Sequence, residues 1–159
     1  MNRISRGINR TVYNFGFSGS GHMDTGIQTW LLKIDAAVYI IDCNWNMSPA
    51  EITKKLGPIV MQIRAARPGV PIVLAEGTPS GDGWVNPTTK IALNNNAFKA
   101  AYVELLVANV TGLHYIESAS YYNATGPLVN PTVGGCHPSD LGAHDVATFY
   151  TQYLKSLLI

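Results

Sequence analysis

Ala37-Val-Tyr-Ile-Ile-Asp-Cys-Asn-Trp-Asn-Met-Ser-Pro-Ala-Glu51 is the stretch on which the fold turns. Its first five residues form a nearly continuous apolar run, as expected of a strand buried on both faces. A polar segment, Asp42 to Met47, follows at once. Ser48 can then cap a helix, Pro49 suits the first helical position, and Glu51 completes a capping box. Ile52, Leu56, Ile59, Ile63 and Ala66 share one face of the predicted helix, which must stop before Arg67-Pro68-Gly69. Gly57-Pro58 inside it predicts a kink. Pro71-Ile-Val-Leu-Ala75 reads as the next strand. Strand, helix and strand in this order make a parallel crossover unit.

The same alternation extends in both directions. Upstream, residues 11–15 are β-rich and end at Gly16, and residues 23–34 put Ile27, Trp30, Leu31 and Ile34 on one helical face. Downstream comes a Gly/Pro/Ser/Asp loop over residues 77–87, long enough to suggest function. A helix is predicted over residues 88–109 through Phe98, Ala101, Tyr102 and Leu105, then a strand over 113–116 and a long loop over 117–135. The last helix, 138–158, is predicted to turn Leu141, Val146, Phe149, Tyr153 and Leu157 inward. The order is β-α-β-α-β-α-β-α without internal repeat. It predicts a single domain over 1–159, a flavodoxin-like, three-layer α/β/α fold with a mainly parallel sheet. Ligands of such sheets bind beyond the carboxyl ends of the strands. That directs attention to residues 16–22, 42–47, 77–87 and 117–137.

Composition narrows the function classes. The 159 residues are 47% hydrophobic and 13% charged, enough to bury a core. Eleven Lys and Arg against ten Asp and Glu leave a formal charge of +1, with no basic footprint for nucleic acid. No apolar run approaches the ~20 residues of a membrane span. The first ten residues are polar and basic and lack the apolar core of a secretory signal. The compartment is therefore unassigned, and periplasmic or secreted placement would need a segment upstream. Cys43 and Cys136 show no metal-ligand spacing, so two reduced thiols and no metal or other cofactor are expected.

Three short constellations could carry chemistry. Gly16-Phe-Ser-Gly-Ser-Gly21 can present backbone N–H groups to an anion or an oxyanion, or it is an ordinary tight turn. It lacks the Gly-Lys-Ser/Thr of a phosphate loop. Asn46 can donate to a developing oxyanion, or it closes the turn before Ser48. His137, between Gly134-Gly-Cys136 and Pro138, stands at a loop-to-helix junction where an imidazole can act as a general base or as a structural group. Asp140 falls in the first turn of the last helix, where a carboxylate suits the helix dipole. Trp45 and Trp84, in rim loops, either wall a cleft or pack. Ser18 and Cys136 line the same edge. His22 suits turn or cap duty, His114 a packed strand position, and His144 the outer face of the last helix.

These residues resemble the SGNH, or GDSL-like, hydrolase superfamily, in its lipase/acylhydrolase-like esterase branch. Asn14-Phe-Gly-Phe-Ser-Gly19 is similar to the second block, with Gly19 at the position of the oxyanion amide. Asp42-Cys-Asn-Trp-Asn-Met47 is similar to the third, with Asn46 at the oxyanion asparagine. His137-Pro-Ser-Asp-Leu-Gly142 is similar to the fifth and the most specific, with His137 at the catalytic base.

The resemblance implies the SGNH fold and ester cleavage through an acyl-enzyme, with a small-molecule or carbohydrate ester as substrate. It departs in two places. The block with the nucleophilic serine normally stands one strand and one helix before residues 11–15, so the resemblance implies a first strand missing from this chain. The gap so left offers a route for association. Gly134 also stands where an aspartate is usual. Gly16-Phe-Ser18-Gly-Ser20 approaches the G-x-S-x-G elbow but has serine for the last glycine, so Ser18 reads as a scaffold residue. A catalytically inactive domain that binds a carbohydrate or acyl ester is the alternative reading, and a plain flavodoxin-like binding domain is a third.

Overall fold

The computed structural model describes residues 1–78, 89–122 and 131–158. The predicted loop at 77–87, with Trp84, lies almost entirely outside them. The chain divides into two compact units, Phe15–Gly77 with Lys90–Ile116, and Met1–Asn14 with Thr78–Thr89 and Glu117–Ile159.

The first unit is built on three parallel strands in the order β1-β2-β3: β1 (Tyr39–Ile41), β2 (Ile72–Ala75) and β3 (Leu113–Ile116). Tyr39 stands opposite Ile72, and Ile72 opposite Leu113. Helices α3 (Pro49–Ala66) and α4 (Lys90–Val107) form the two crossovers and pack on each other. Tyr39, Ile41, Ile72 and Leu74 share one sheet face, because side chains alternate along a strand. They join Ile52, Leu56, Ile59, Ile63, Phe98, Ala101 and Leu105 in one core. Val73, on the opposite face, is also fully buried, whereas Ile40 at the edge strand is 38% exposed.

Helix α3 has the bounds its signals predict. The Ser48 side chain accepts from the Glu51 N–H, the Glu51 carboxylate accepts from the Ser48 N–H at 2.8 Å, and the helix ends at Ala66. It is one continuous helix across Pro58. Helix α2 (Thr25–Leu31) is shorter than predicted, and its apolar face is not the expected one. Trp30 is exposed under the Lys33 ammonium, 3.9 Å from the ring centroid, while Gln28 is buried and donates to the Met23 carbonyl at 2.8 Å.

Residues 11–15 belong to no strand, which corrects the reading of this β-rich run. A β-prone composition becomes a strand only when a neighbouring strand takes up its backbone groups. The only described ladder of β1 is the one with β2.

The second unit pairs α1 (Asn2–Ile8) with α5 (Asp140–Leu157). The helices approach closely, since a Cβ at Gly7 would stand 2.6 Å from the Thr151 methyl. Gly142, Asp145, Ala147, Tyr150 and Leu154 are the buried residues of α5, and Leu141 is exposed. The inward face is thus rotated from the predicted one. Gly142 sets the rotation: a Cβ there would lie 1.9 Å from the Pro131 carbonyl oxygen, so only a glycine lets this face meet residue 131. The predicted loop before α5 contains a short hairpin, β4 (Thr132–Val133) antiparallel to β5 (His137–Pro138), with three residues between the paired Val133 and His137.

Candidate active site

In the first unit, the Gly19 loop is a β-turn. Ser20 N–H donates to the Phe17 carbonyl at 2.9 Å. Gly19 occupies the third position with φ +69°, a conformation that side-chain-bearing residues adopt only with strain. Ser18 and Gly19 are both exposed. Two residues on, Gly21 lies against the second loop: a Cβ there would stand 3.3 Å from both Asn46 Nδ2 and Cys43 Cβ. The loop carrying Asn46 is therefore approached, within one compact unit, by Gly21, two residues after Gly19.

The loop carrying Asn46 is held from beneath by α4. Buried Asn94 donates through Nδ2 to the carbonyls of Asn44 at 2.6 Å and Met47 at 2.8 Å, bracketing Asn46. Asn95 takes both sides of Gly77, accepting from its N–H at 3.0 Å and donating to its carbonyl at 3.1 Å. The same Asn95 carbonyl oxygen accepts from Asn44 at 2.7 Å. Lys90 Nζ donates to the Trp45 carbonyl at 2.6 Å. Gly77 admits no side chain, since a Cβ would stand 2.3 Å from Asn44 Oδ1 and 2.9 Å from Trp45 Cδ1. Half-buried Trp45 thus packs on the end of β2. These clamps were not read from sequence, although a run of three asparagines inside a helix is a usable signal. Asparagine is a poor helix former and needs a reason to be there.

Asp42 and Cys43 head this loop. The Asp42 residue is accessible, yet protein surrounds its carboxyl closely enough that desolvation raises its pKa to about 6. Burial first, and then the Asp42 charge, push the Cys43 thiol up to about 12, while a hydrogen bond with the Met23 backbone acts the other way. Cys43 is thus a neutral thiol and a poor nucleophile. Neither Cys43 nor Cys136 is in a disulfide.

In the second unit, His137 is exposed on β5 opposite Val133. Its position follows from the turn before it. Gly134 (φ +59°) and Gly135 (φ +73°) are the central residues, and Cys136 N–H closes on the Val133 carbonyl at 3.3 Å. Two successive positive φ values are the mark of a type I′ hairpin turn. Gly134, where the resembling family usually has aspartate, therefore has a backbone role here. After His137, Ser139 caps α5 by accepting from the Gly142 N–H at 3.2 Å, with Asp140 in the first turn. The other histidines are placed elsewhere: His22 beside Glu51 at 3.5 Å, His114 half-buried on β3, and His144 exposed on α5 in contact with Arg3.

A family model for GDSL-like lipases/acylhydrolases matches residues 1–155. The chain belongs to the GDSL-like lipase/acylhydrolase family. Among solved structures, a protein assigned as a GDSL-like lipase from Bacteroides ovatus is 30% identical with a TM-score of 0.87; the match covers 98% of this chain and 46% of that one. A salicylyl-acyltransferase from a tetracycline biosynthetic pathway shares the fold, with a TM-score of 0.79 at 14% identity, over 98% of this chain and 48% of that one. The chain thus spans about half the length of each. No curated protein matches. The family and its structural relatives are of the hydrolase and acyl-transfer type, and the α/β architecture with its parallel sheet is that of the SGNH fold. Among the described residues of this GDSL-like chain, no group of three His, Cys, Asp or Glu side chains could hold a metal ion. No described helix is long and apolar enough to cross a membrane.

Proposed function

We propose that this GDSL-like chain contributes the oxyanion donors and the general base to the cleavage of an acyl or acetyl ester, on a small molecule or a carbohydrate. The approach of Gly21, the residue after the turn that holds Gly19, to the Asn46 amide supports this reading, because Asn46 is the side chain that resembles an oxyanion asparagine. In the proposed mechanism a serine hydroxyl attacks the ester carbonyl. His137 takes the hydroxyl proton and returns it to the leaving alkoxide, and an acyl-enzyme forms for water to hydrolyse. The Gly19 N–H and the Asn46 Nδ2 stabilise the negative charge on the carbonyl oxygen of the tetrahedral intermediate. No serine of this chain is assigned the attacking role. Ser18 supports the turn.

Hydrolysis of p-nitrophenyl acetate by the wild type, Asn46→Ala and His137→Ala tests the reading. Asn46→Ala should lower turnover about 10²–10³-fold, and His137→Ala should abolish it. Turnover indifferent to His137 would sink it, and ester binding without turnover would favour the second reading. Labelling by a serine-directed probe that vanishes in Ser18→Ala would move the nucleophile to Ser18. A second reading, binding without turnover, is favoured by the turn role of Gly134, which leaves the usual aspartate position without a carboxylate. It expects a carbohydrate or acyl ester to bind by calorimetry and to be recovered intact.

A further inference from the structure

The segment between Gly21 and helix α2 contains a strained residue. Met23 has φ +52°, the left-handed region that a side chain with a Cβ adopts only at a cost. Such a residue persists when its surroundings over-determine it. Three contacts do so here, all within the first unit. The Met23 side chain is buried in the core at 6% exposure. The Met23 carbonyl accepts from buried Gln28 Nε2 at 2.8 Å. The preceding carbonyl, that of His22, accepts from Lys55 Nζ at 2.7 Å. Lys55 reaches it from α3 and also stands 3.8 Å from Asp24. Lys55 lies one turn beyond Glu51, which meets the His22 ring. A pair at i and i+4 thus grips both ends of the same residue.

The grip acts next to the proposed oxyanion pair. The peptide held by Lys55 belongs to the residue after Gly21, and Gly21 is the point of contact with Asn46 Nδ2. A hydrogen bond from an ammonium to a carbonyl is stronger than a neutral one. Without it, the His22 carbonyl can rotate away and Met23 can relax from its left-handed conformation. We infer that Lys55 is the positioning residue of the proposed oxyanion pair: by holding the His22 carbonyl it keeps Gly21 against the Asn46 amide and sets the register of the turn that carries Gly19. This inference rests on the reading of Gly19 and Asn46 as oxyanion donors.

The test is NMR on the isotope-labelled full chain as wild type, Lys55→Met, Lys55→Arg and Asp24→Asn. The readouts are the nuclear Overhauser contact between Gly21 Hα and the Asn46 amide, and the exchange rates of the Gly21 and Met23 amides. Lys55→Met should lose the contact and raise those exchange rates about tenfold or more, with the core resonances of α3 and α4 unmoved. Lys55→Arg, which keeps a cationic donor, should restore both. Asp24→Asn, which removes only the ion pair, should match the wild type. Retention of the contact in Lys55→Met would overturn the inference. If that variant does not fold, Lys55→Gln provides the same readouts, and unfolding of both would overturn it too, by making Lys55 a stability residue. None of these readouts needs turnover, so ester turnover indifferent to His137 would defeat the functional reading and leave this measurement standing.

Discussion

At the scale of the residue, the loop after β1 sets unlike neighbours side by side: an acid that resists ionisation, a thiol that stays neutral and an amide bracketed by Asn94. Asp42 has the clearest thermodynamic consequence. A free aspartate titrates near 4, and the folded chain raises this one to about 6 by desolvation. The folded state therefore holds the proton more tightly than the unfolded state. Its contribution to stability is complete below about pH 4 and falls away as pH rises through 6. Asp42→Asn should thus stabilise the protein at pH 8 and be nearly neutral at pH 3.5. The gain should be about 1 kcal/mol at most, because the residue is reached by water and the full effect of the shift is screened. Urea unfolding midpoints of both proteins at the two pH values check it. None of this was legible from Asp42 itself. Desolvation of a carboxyl depends on what folds around it, and the residue type alone does not reveal it.

At the scale of the element, legibility follows how local the deciding interactions are. Ser48, Pro49 and Glu51 are within four residues of one another, and Arg67-Pro68-Gly69 closes the far end, so α3 could be read with its bounds. Removing the cap should show its worth. Ser48→Ala leaves the Glu51 N–H without its acceptor and should cost about 1 kcal/mol, seen as a lower Tm with unchanged far-ultraviolet dichroism at 20 °C. Helix α5 exists as predicted, but its most buried face is offset from the expected one: Leu141 is exposed, and Val146, Phe149, Tyr153 and Leu157 are half-buried at its margin. Its inward face is chosen by Gly142 against the Pro131 carbonyl and by buried Asp145, neither of which counts in a hydrophobic pattern. The hairpin before it lies inside a predicted loop, although Gly134-Gly135 is a usable signal for a tight hairpin turn.

At the scale of the whole molecule, the parallel sheet and its two crossover helices were legible from alternation while the strand order was not, and the GDSL-like family membership agrees with the family resemblance read from the sequence. Among the described residues, Phe98 is the largest fully buried side chain, and it joins α4 to the sheet core. Phe98→Ala should cost about 3–5 kcal/mol through the cavity it leaves, lowering the urea midpoint without changing the slope. A smaller loss would mean that the core collapses into the space. The reading of residues 11–15 as a strand shows the limit at this scale. Their composition is right, but a strand is made by pairing with a distant segment, and composition does not contain the partner.

The sequence by itself determined what short-range chemistry decides: the α3 cap and stop, the apolar runs of three strands, and the Gly, Asn and His motifs that mark the family. Tertiary structure alone decided what depends on contacts across the chain. It seated Asn46 on the Asn94 bracket, placed Gly21 against its amide, bonded Lys55 to the His22 carbonyl beside left-handed Met23, and withheld a strand from residues 11–15. The division has one physical cause: caps, turns and periodicity act within a few residues, whereas desolvation, clamping and strand pairing depend on neighbours that only folding brings together.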